Sequence, residues 1–363
     1  MTELPAPTAG VSTGERLAAP QPANAHEFQL GHRPALDGFR GVAVLMVLVG
    51  HAGFPRVARA ATSGVSLFFV LSGFLITSLL VREAATGRIR LAHFYARRAL
   101  RLLPALMVCV AVVSAWCRYD RSVSAPSISA LYLSNILMGA GHPLGVFSHT
   151  WSLSMEEQFY LAWPIVLLVT LRRSRRCATV TAVVGAVLSV AVAVALVATD
   201  RQGVHWERVR FSPDTRAYGL FVGCALALLV SRIPLRGARA LAIPAVLACA
   251  VASIRTDESA AQYLVWRPLV TIAAAVIIVV LLDDTNAISR IAAATPLAYI
   301  GRISYALYLW HFPVLAIAAA HFPAAPVGLR AVIAIGISAT LAVVSYHALE
   351  LPFLRLRTRF RSV

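Results

Sequence analysis

The sequence predicts an all-α fold, a polytopic membrane bundle of about ten transmembrane helices. Two observations carry that prediction. Of the 363 residues 59% are hydrophobic and only 13% are charged, about half of what a soluble chain spends on charge. The apolar residues also gather into runs close to the roughly 20 residues a helix needs to cross bilayer hydrocarbon, with short polar connections between them.

Taken in order, residues 1–34 are rich in Ala, Pro, Thr and Gly and have no apolar periodicity. They read as a disordered leader, because a secretory signal would set basic residues ahead of an apolar core. The runs then fall at roughly 37–55, 64–82, 102–119, 151–171, 178–199, 214–231, 240–254, 268–282, 296–320 and 328–349. The seventh and eighth are short enough to be tilted or re-entrant. The expected division is a leader over 1–34, a transmembrane domain over 35–355 and a basic tail over 356–363.

The formal net charge is +17, and every one of the 33 basic residues is Arg. These arginines concentrate in alternate connections, among them the 82–101 segment, the Arg172–Arg176 cluster and the tail with Arg355, Arg357, Arg359 and Arg361. Such alternation is the positive-inside pattern, so the charge speaks of topology and contact with anionic membrane lipid, not of nucleic acid. It predicts a multi-pass protein of the plasma membrane with both termini cytoplasmic. The five cysteines (Cys109, Cys117, Cys177, Cys224 and Cys249) have neither paired nor zinc-type spacing and read as free thiols.

Ionisable groups inside membrane helices are costly, which makes each a functional candidate. The first run holds Arg40 and His51, which lie about 16 Å apart along a helix, half the hydrocarbon thickness. The fourth run opens with Trp151-Ser152-Leu153-Ser154-Met155-Glu156-Glu157-Gln158-Phe159-Tyr160. Its adjacent carboxylates point about 100° apart, so only one can face a given partner. A carboxylate beside a deep imidazole would hold it in one tautomer as a general base, which predicts that Glu156 orients His51. The rival reading of either Glu is an ion pair with Arg that holds helices together. In the 88–104 segment Tyr95, Arg97, Arg98 and Arg101 combine aromatic rings with guanidinium forks, a set suited to the phosphates of a nucleotide-bearing cofactor such as coenzyme A. Further polar groups in or beside apolar runs are Asp214, Arg216, Tyr308 and His311, and near the end Tyr346, His347 and Glu350. His32 and Asp37 match an H-x4-D spacing found in glycerolipid acyltransferases, but the other blocks of that family are missing. His26-Glu27 does not extend to H-E-x-x-H, and no metal is expected.

These blocks together resemble the acyltransferase-3 family of membrane O-acyltransferases. Leu36-Asp37-Gly38-Phe39-Arg40-Gly41 followed by His51 is similar to that family's R-x10-H helix, and Gly64–Thr77, Phe94–Arg101, Trp151–Tyr160, Asp214–Arg216, Ser304–His311 and Tyr346–Pro352 follow in family order. The resemblance implies a ten-helix enzyme that takes an acyl group, usually acetyl, from acyl-CoA and delivers it to a hydroxyl of a sugar or glycosylated acceptor. It casts Arg40 and His51 as the R-x10-H pair, Arg98 and Arg101 as an R-x-x-R pair and Glu156 as the acid of the W-S-L-x-x-E block, with Glu157 beside it. On this reading Arg97, Arg98, Arg101 and Tyr95 hold the donor, while Ser152, Asp214, Arg216, Tyr308 and His311 are acceptor or oxyanion candidates. Members of the family often carry a fused extracytoplasmic hydrolase-like domain; here that role would fall to a separate partner protein. The rival function is a proton-coupled transporter of a small anion or sugar with His51 and Glu156 as a relay. The lack of an internal repeat and the Phe94–Arg101 block speak against it.

Overall fold

The computed structural model describes residues 31–85, 90–119, 129–199, 206–254 and 260–356. Most of the expected leader, with Arg16, lies outside them, as do Arg88 and tail residues 357–363. Among the described residues the chain is helical, with no strand.

Ten principal helices stand where the ten apolar runs were expected. They are α1 (Pro34–His51), α2 (Arg59–Ala85), α3 (Leu91–Tyr119), α4 (Trp151–Arg173), α5 (Arg175–Thr199), α6 (Tyr218–Leu229), α7 (Ala242–Ile254), α8 (Arg267–Leu281), α9 (Ser304–His321) and α10 (Val327–Ser345). By length and apolarity six stretches of the described residues can cross a membrane, or seven if one bent pair counts as a span; the helices around α6 and α7 are shorter. The chain is therefore an all-α membrane bundle.

Local chemistry sets the boundaries. Pro34 opens α1 in the first turn, where its missing N–H is no loss. The helix stops just beyond His51, where Gly53 takes a φ of 92° that a side chain would resist. Two departures from expectation matter for the site. α3 begins at Leu91, about ten residues before its apolar run, so Arg97, Arg98 and Arg101 stand on a membrane helix and not in a connection. The expected 296–320 span is two helices, Thr295–Arg302 and α9, which meet at 71°.

In lipid there is little hydrophobic gain from helix association, so close van der Waals packing has to supply it. Small residues provide the closeness. Gly73 of α2 lies on the Leu220 carbonyl of α6 and Gly223 of α6 lies on the Val70 carbonyl, so a Cβ at either would collide with backbone. Gly301 lies on the Asp37 carbonyl and Gly41 on the Leu297 carbonyl, joining α1 to the Thr295–Arg302 helix in the same manner. α5 buries only Ala178, Ala182, Ser189 and Ala193, one narrow stripe, and turns Val187 and Leu188 outward as a lipid-facing helix does. Trp163, fully buried among α2 and α6 residues, donates its indole N–H to Thr77 at 2.8 Å, so no polar atom is stranded there. All five cysteines are free, four of them buried.

Candidate active site

At the end of the bundle where α3 begins, Arg40, Ser72, Arg98, Arg101, Glu156, Glu157 and Tyr160 line a cavity of about 190 Å³. The Arg98 fork grips Glu157, with Nε 2.9 Å from one carboxylate oxygen and Nη2 2.5 Å from the other, and its guanidinium stacks 3.4 Å above the Tyr160 ring. Glu157 thus makes the inter-helix ion pair that was the rival reading of this carboxylate. Arg97 turns aside to Glu83 at 2.6 Å, and the Tyr95 hydroxyl donates to the Leu161 carbonyl at 2.9 Å. Neither side chain lines the cavity, unlike Arg98 and Arg101.

A second, narrower cavity of about 60 Å³ continues from the first and shares Arg40, Ser72, Leu153, Glu156 and Tyr305 with it. Phe68, Phe69, Ser152 and Tyr308 close its far part. Glu156 sits in the wall common to both and accepts a hydrogen bond from the Ser72 hydroxyl at 2.7 Å. Arg40 lines these two cavities and a third of about 180 Å³ beside Arg101, Arg302 and Glu350. Its Nε is buried without a hydrogen-bond partner.

Beyond Tyr308 lies a cluster of histidines. The expected pairing of Glu156 with His51 does not form: His51 Nδ1 is instead 3.0 Å from Nε2 of His311, with the rings stacked. The reason is reach, since Glu156 is engaged one cavity away while α9 lays His311 directly on the end of α1. The other ring nitrogen of His311, Nδ1, is 2.7 Å from the Tyr308 backbone carbonyl. A carbonyl only accepts, so Nδ1 of His311 carries the proton and its Nε2 is an acceptor. His51 must then donate from Nδ1, which leaves its Nε2 as a bare lone pair. His149 packs against His311 and stacks on Phe312, and Phe312 meets the His51 ring edge-on.

The Ser152 hydroxyl and Tyr308 phenol are 2.6 Å apart, and the phenol also reaches the His149 carbonyl at 2.9 Å. By the same logic the phenol donates to the carbonyl and Ser152 donates to the phenol oxygen. Both protons are engaged in the resting structure. Asp214 is tied to Arg208 at 2.5 Å and Arg216 lies over the Trp151 ring; neither lines the two connected cavities. Among the described residues no group of three His, Cys, Asp or Glu is arranged to hold a metal ion. Sequence reasoning missed Ser72, a hydroxyl inside an apolar run, and gave no role to His149 or Phe312.

The family model described as "Acyltransferase domain" matches residues 33–348. The chain is 31% identical to "Putative peptidoglycan O-acetyltransferase YrhL" of Bacillus subtilis over 91% of its own length and 56% of the relative's. It is 28% identical to "Peptidoglycan O-acetyltransferase OatA" of Listeria monocytogenes over 88% of its own length and 55% of that protein. The chain thus spans little more than half the length of these relatives. No solved structure matches it.

Proposed function

Starting from the chain's membership of the acyltransferase-3 family, we propose that it is a membrane O-acyltransferase that moves an acetyl group from acetyl-CoA to a hydroxyl of a carbohydrate or glycosylated acceptor. The names of these relatives, a putative peptidoglycan O-acetyltransferase and a peptidoglycan O-acetyltransferase, support an O-acetyl product and a glycan as the acceptor class. In this reading the protein sits in the plasma membrane with Arg98 and Arg101 toward the cytoplasm, and both termini are on that side.

One observation carries the proposal. His51, with a bare Nε2, is joined through His311 to Tyr308, which lines the inner of two connected cavities that start at a cluster of arginines. Arg98 and Arg101 hold the phosphates of coenzyme A, and the pantetheine arm runs along the two cavities past Glu156, whose carboxylate accepts from its amide N–H groups. His51 removes the proton of the acceptor hydroxyl as that oxygen attacks the thioester carbon. The C–O bond forms, the C–S bond breaks, and the imidazolium proton passes to the departing thiolate. Arg40, with an unpartnered Nε in the shared wall, steadies the donor's arm between the arginines and the base.

The test is turnover of labelled acetyl-CoA by detergent-purified protein. Wild type consumes the donor, His51→Ala binds it without turnover, and the double substitution Arg98→Ala, Arg101→Ala fails to bind. Label retained on the wild-type protein would replace direct transfer with an acyl-histidine route. A protein that ignores every acyl-CoA but moves solute in liposomes in a His51-dependent way would sink the transferase reading in favour of a transporter.

A further inference from the structure

Away from the cavities, at the end of the bundle where α4 begins, two guanidinium groups are buried without a counter-charge. Arg216 ends the short helix Pro213–Arg216 and is 3% exposed; Arg267 opens α8 and is 6% exposed. Neither forms an ion pair among the described residues. Arg267 leaves Nε and Nη1 without partners, and Arg216 leaves Nε; among the described residues its one side-chain hydrogen bond, to the Tyr218 hydroxyl, is a long 3.3 Å. Arg267 lies within electrostatic reach of Arg216 and of Arg210, and Tyr218, which Arg216 contacts, lines a pocket with Pro268 next to Arg267. Among the described residues, the carboxylates of the adjoining short helices are engaged elsewhere: Glu207 pairs with Arg210, and Asp214 with Arg208. What the arginines do have is aromatic faces, with Arg267 4.0 Å over the Tyr263 ring and Arg216 5.7 Å over Trp151.

A buried cation without a counter-charge is strongly unfavourable, and aromatic faces offset only part of that. Two of them in one region, with N–H donors left open, suit an oxyanion, which guanidinium forks bind in bidentate fashion. The position relates it to the histidine cluster, since Trp151 under Arg216 starts the helix that His149 precedes, and His149 packs against His311.

We propose that Arg216 and Arg267 bind a phosphate or carboxylate carried by the acceptor, making the acceptor an anionic glycan or sugar derivative. The assignment rests on the acyltransferase reading above. It gives the acceptor an anchor separate from the donor arginines Arg98 and Arg101, so that the acceptor hydroxyl is presented to His51 by its own charged group.

The experiment uses the full chain in phosphatidylcholine nanodiscs saturated with coenzyme A, so that the donor site is filled. Glucose, glucuronate and glucose 1-phosphate are titrated as neutral, carboxylate and phosphate probes. At least one anionic probe should bind about ten-fold or more tightly than glucose, and Arg216→Gln or Arg267→Gln should erase that preference. Both variants should keep wild-type affinity for coenzyme A, which certifies their fold, and Arg267→Lys should keep part of the anion preference. Equal binding of the three probes by wild type, or an anion preference that survives both Gln substitutions, overturns the proposal. Tighter binding of dihexanoyl phosphatidylglycerol than of either sugar anion would assign the pair to a lipid headgroup and overturn the acceptor assignment. Failure of wild type to bind coenzyme A at all would sink the donor reading, a result distinct from any outcome with the anions.

Discussion

His51 and His311 come from opposite ends of the chain and are joined through Nδ1 and Nε2 at 3.0 Å, with His311 in turn anchored on its own helix at the Tyr308 carbonyl. The pair is directional. A carbonyl at one end fixes every proton up to the free nitrogen of His51, so the proposed base is held in one tautomer by a carbonyl rather than by the expected Glu156.

His311→Ala removes that constraint. Turnover should fall about 100-fold or more, within the 10²–10⁴ that general acid–base catalysis contributes, while the affinity for acetyl-CoA stays at the wild-type value. His311→Gln offers an amide oxygen to His51 Nδ1–H and should recover part of the loss. Single-turnover measurements with both variants decide it: if Ala and Gln are equally active, His311 is only packing.

Glu157 holds Arg98 in a two-pronged grip before any ligand arrives. Glu157→Gln frees the guanidinium for phosphate, so coenzyme A should bind several-fold more tightly to this variant in equilibrium dialysis. Arg98→Gln should do the opposite and also lower the melting temperature, because it strands a half-buried carboxylate. Weaker coenzyme A binding by Glu157→Gln would argue that Arg98 is structural.

The second cavity is small and aromatic, bounded by Phe68, Phe69 and Tyr308. Phe68 is only half-buried and can be trimmed with less damage than the enclosed Phe69. In Phe68→Ala the preference for acetyl-CoA over butyryl-CoA should weaken about ten-fold in kcat/KM, the usual scale for one or two methylenes in a pocket. An unchanged preference would place the acyl group elsewhere.

Helix contacts through glycine make a stability prediction. Gly223→Ala sets a methyl against the Val70 carbonyl and should cost about 1–3 kcal/mol. Gly336→Ala, on an open face of α10, meets nothing and should be neutral or stabilising by up to about 1 kcal/mol. Thermal denaturation of the two variants side by side reads the difference.

Much of this architecture was legible in the sequence, because a membrane helix announces itself by apolar length. The departures come where local pattern and tertiary contact part company. The helix of Arg98 and Arg101 starts earlier than its apolar run, since polar residues that face a cavity need no hydropathy to be helical. The bend beside Ser304 leaves no trace in composition. At the candidate site the individual residues stood out as charges in apolar surroundings, but their pairing did not. Glu156 and His51 looked like partners because each lacked one in sequence; three-dimensional packing gave them Ser72 and His311. Arg267 was invisible for a similar reason, because one arginine at the mouth of an apolar run passes for a topology signal.

The helix α1 touches the chain around α9 at both ends: at one, Gly41 and Gly301 bring backbones together, and at the other His51 meets His311. Between Arg40 and His51 runs uninterrupted helix, about 16 Å of it. A segment clamped at both ends and stiff between them is a ruler. In the proposed transfer it would fix how far from the guanidinium groups a thioester must lie to meet His51, making the reach of the donor's arm a criterion of recognition. A carrier with the correct acyl group on a shorter tether would dock its charges and leave its carbonyl short of His51.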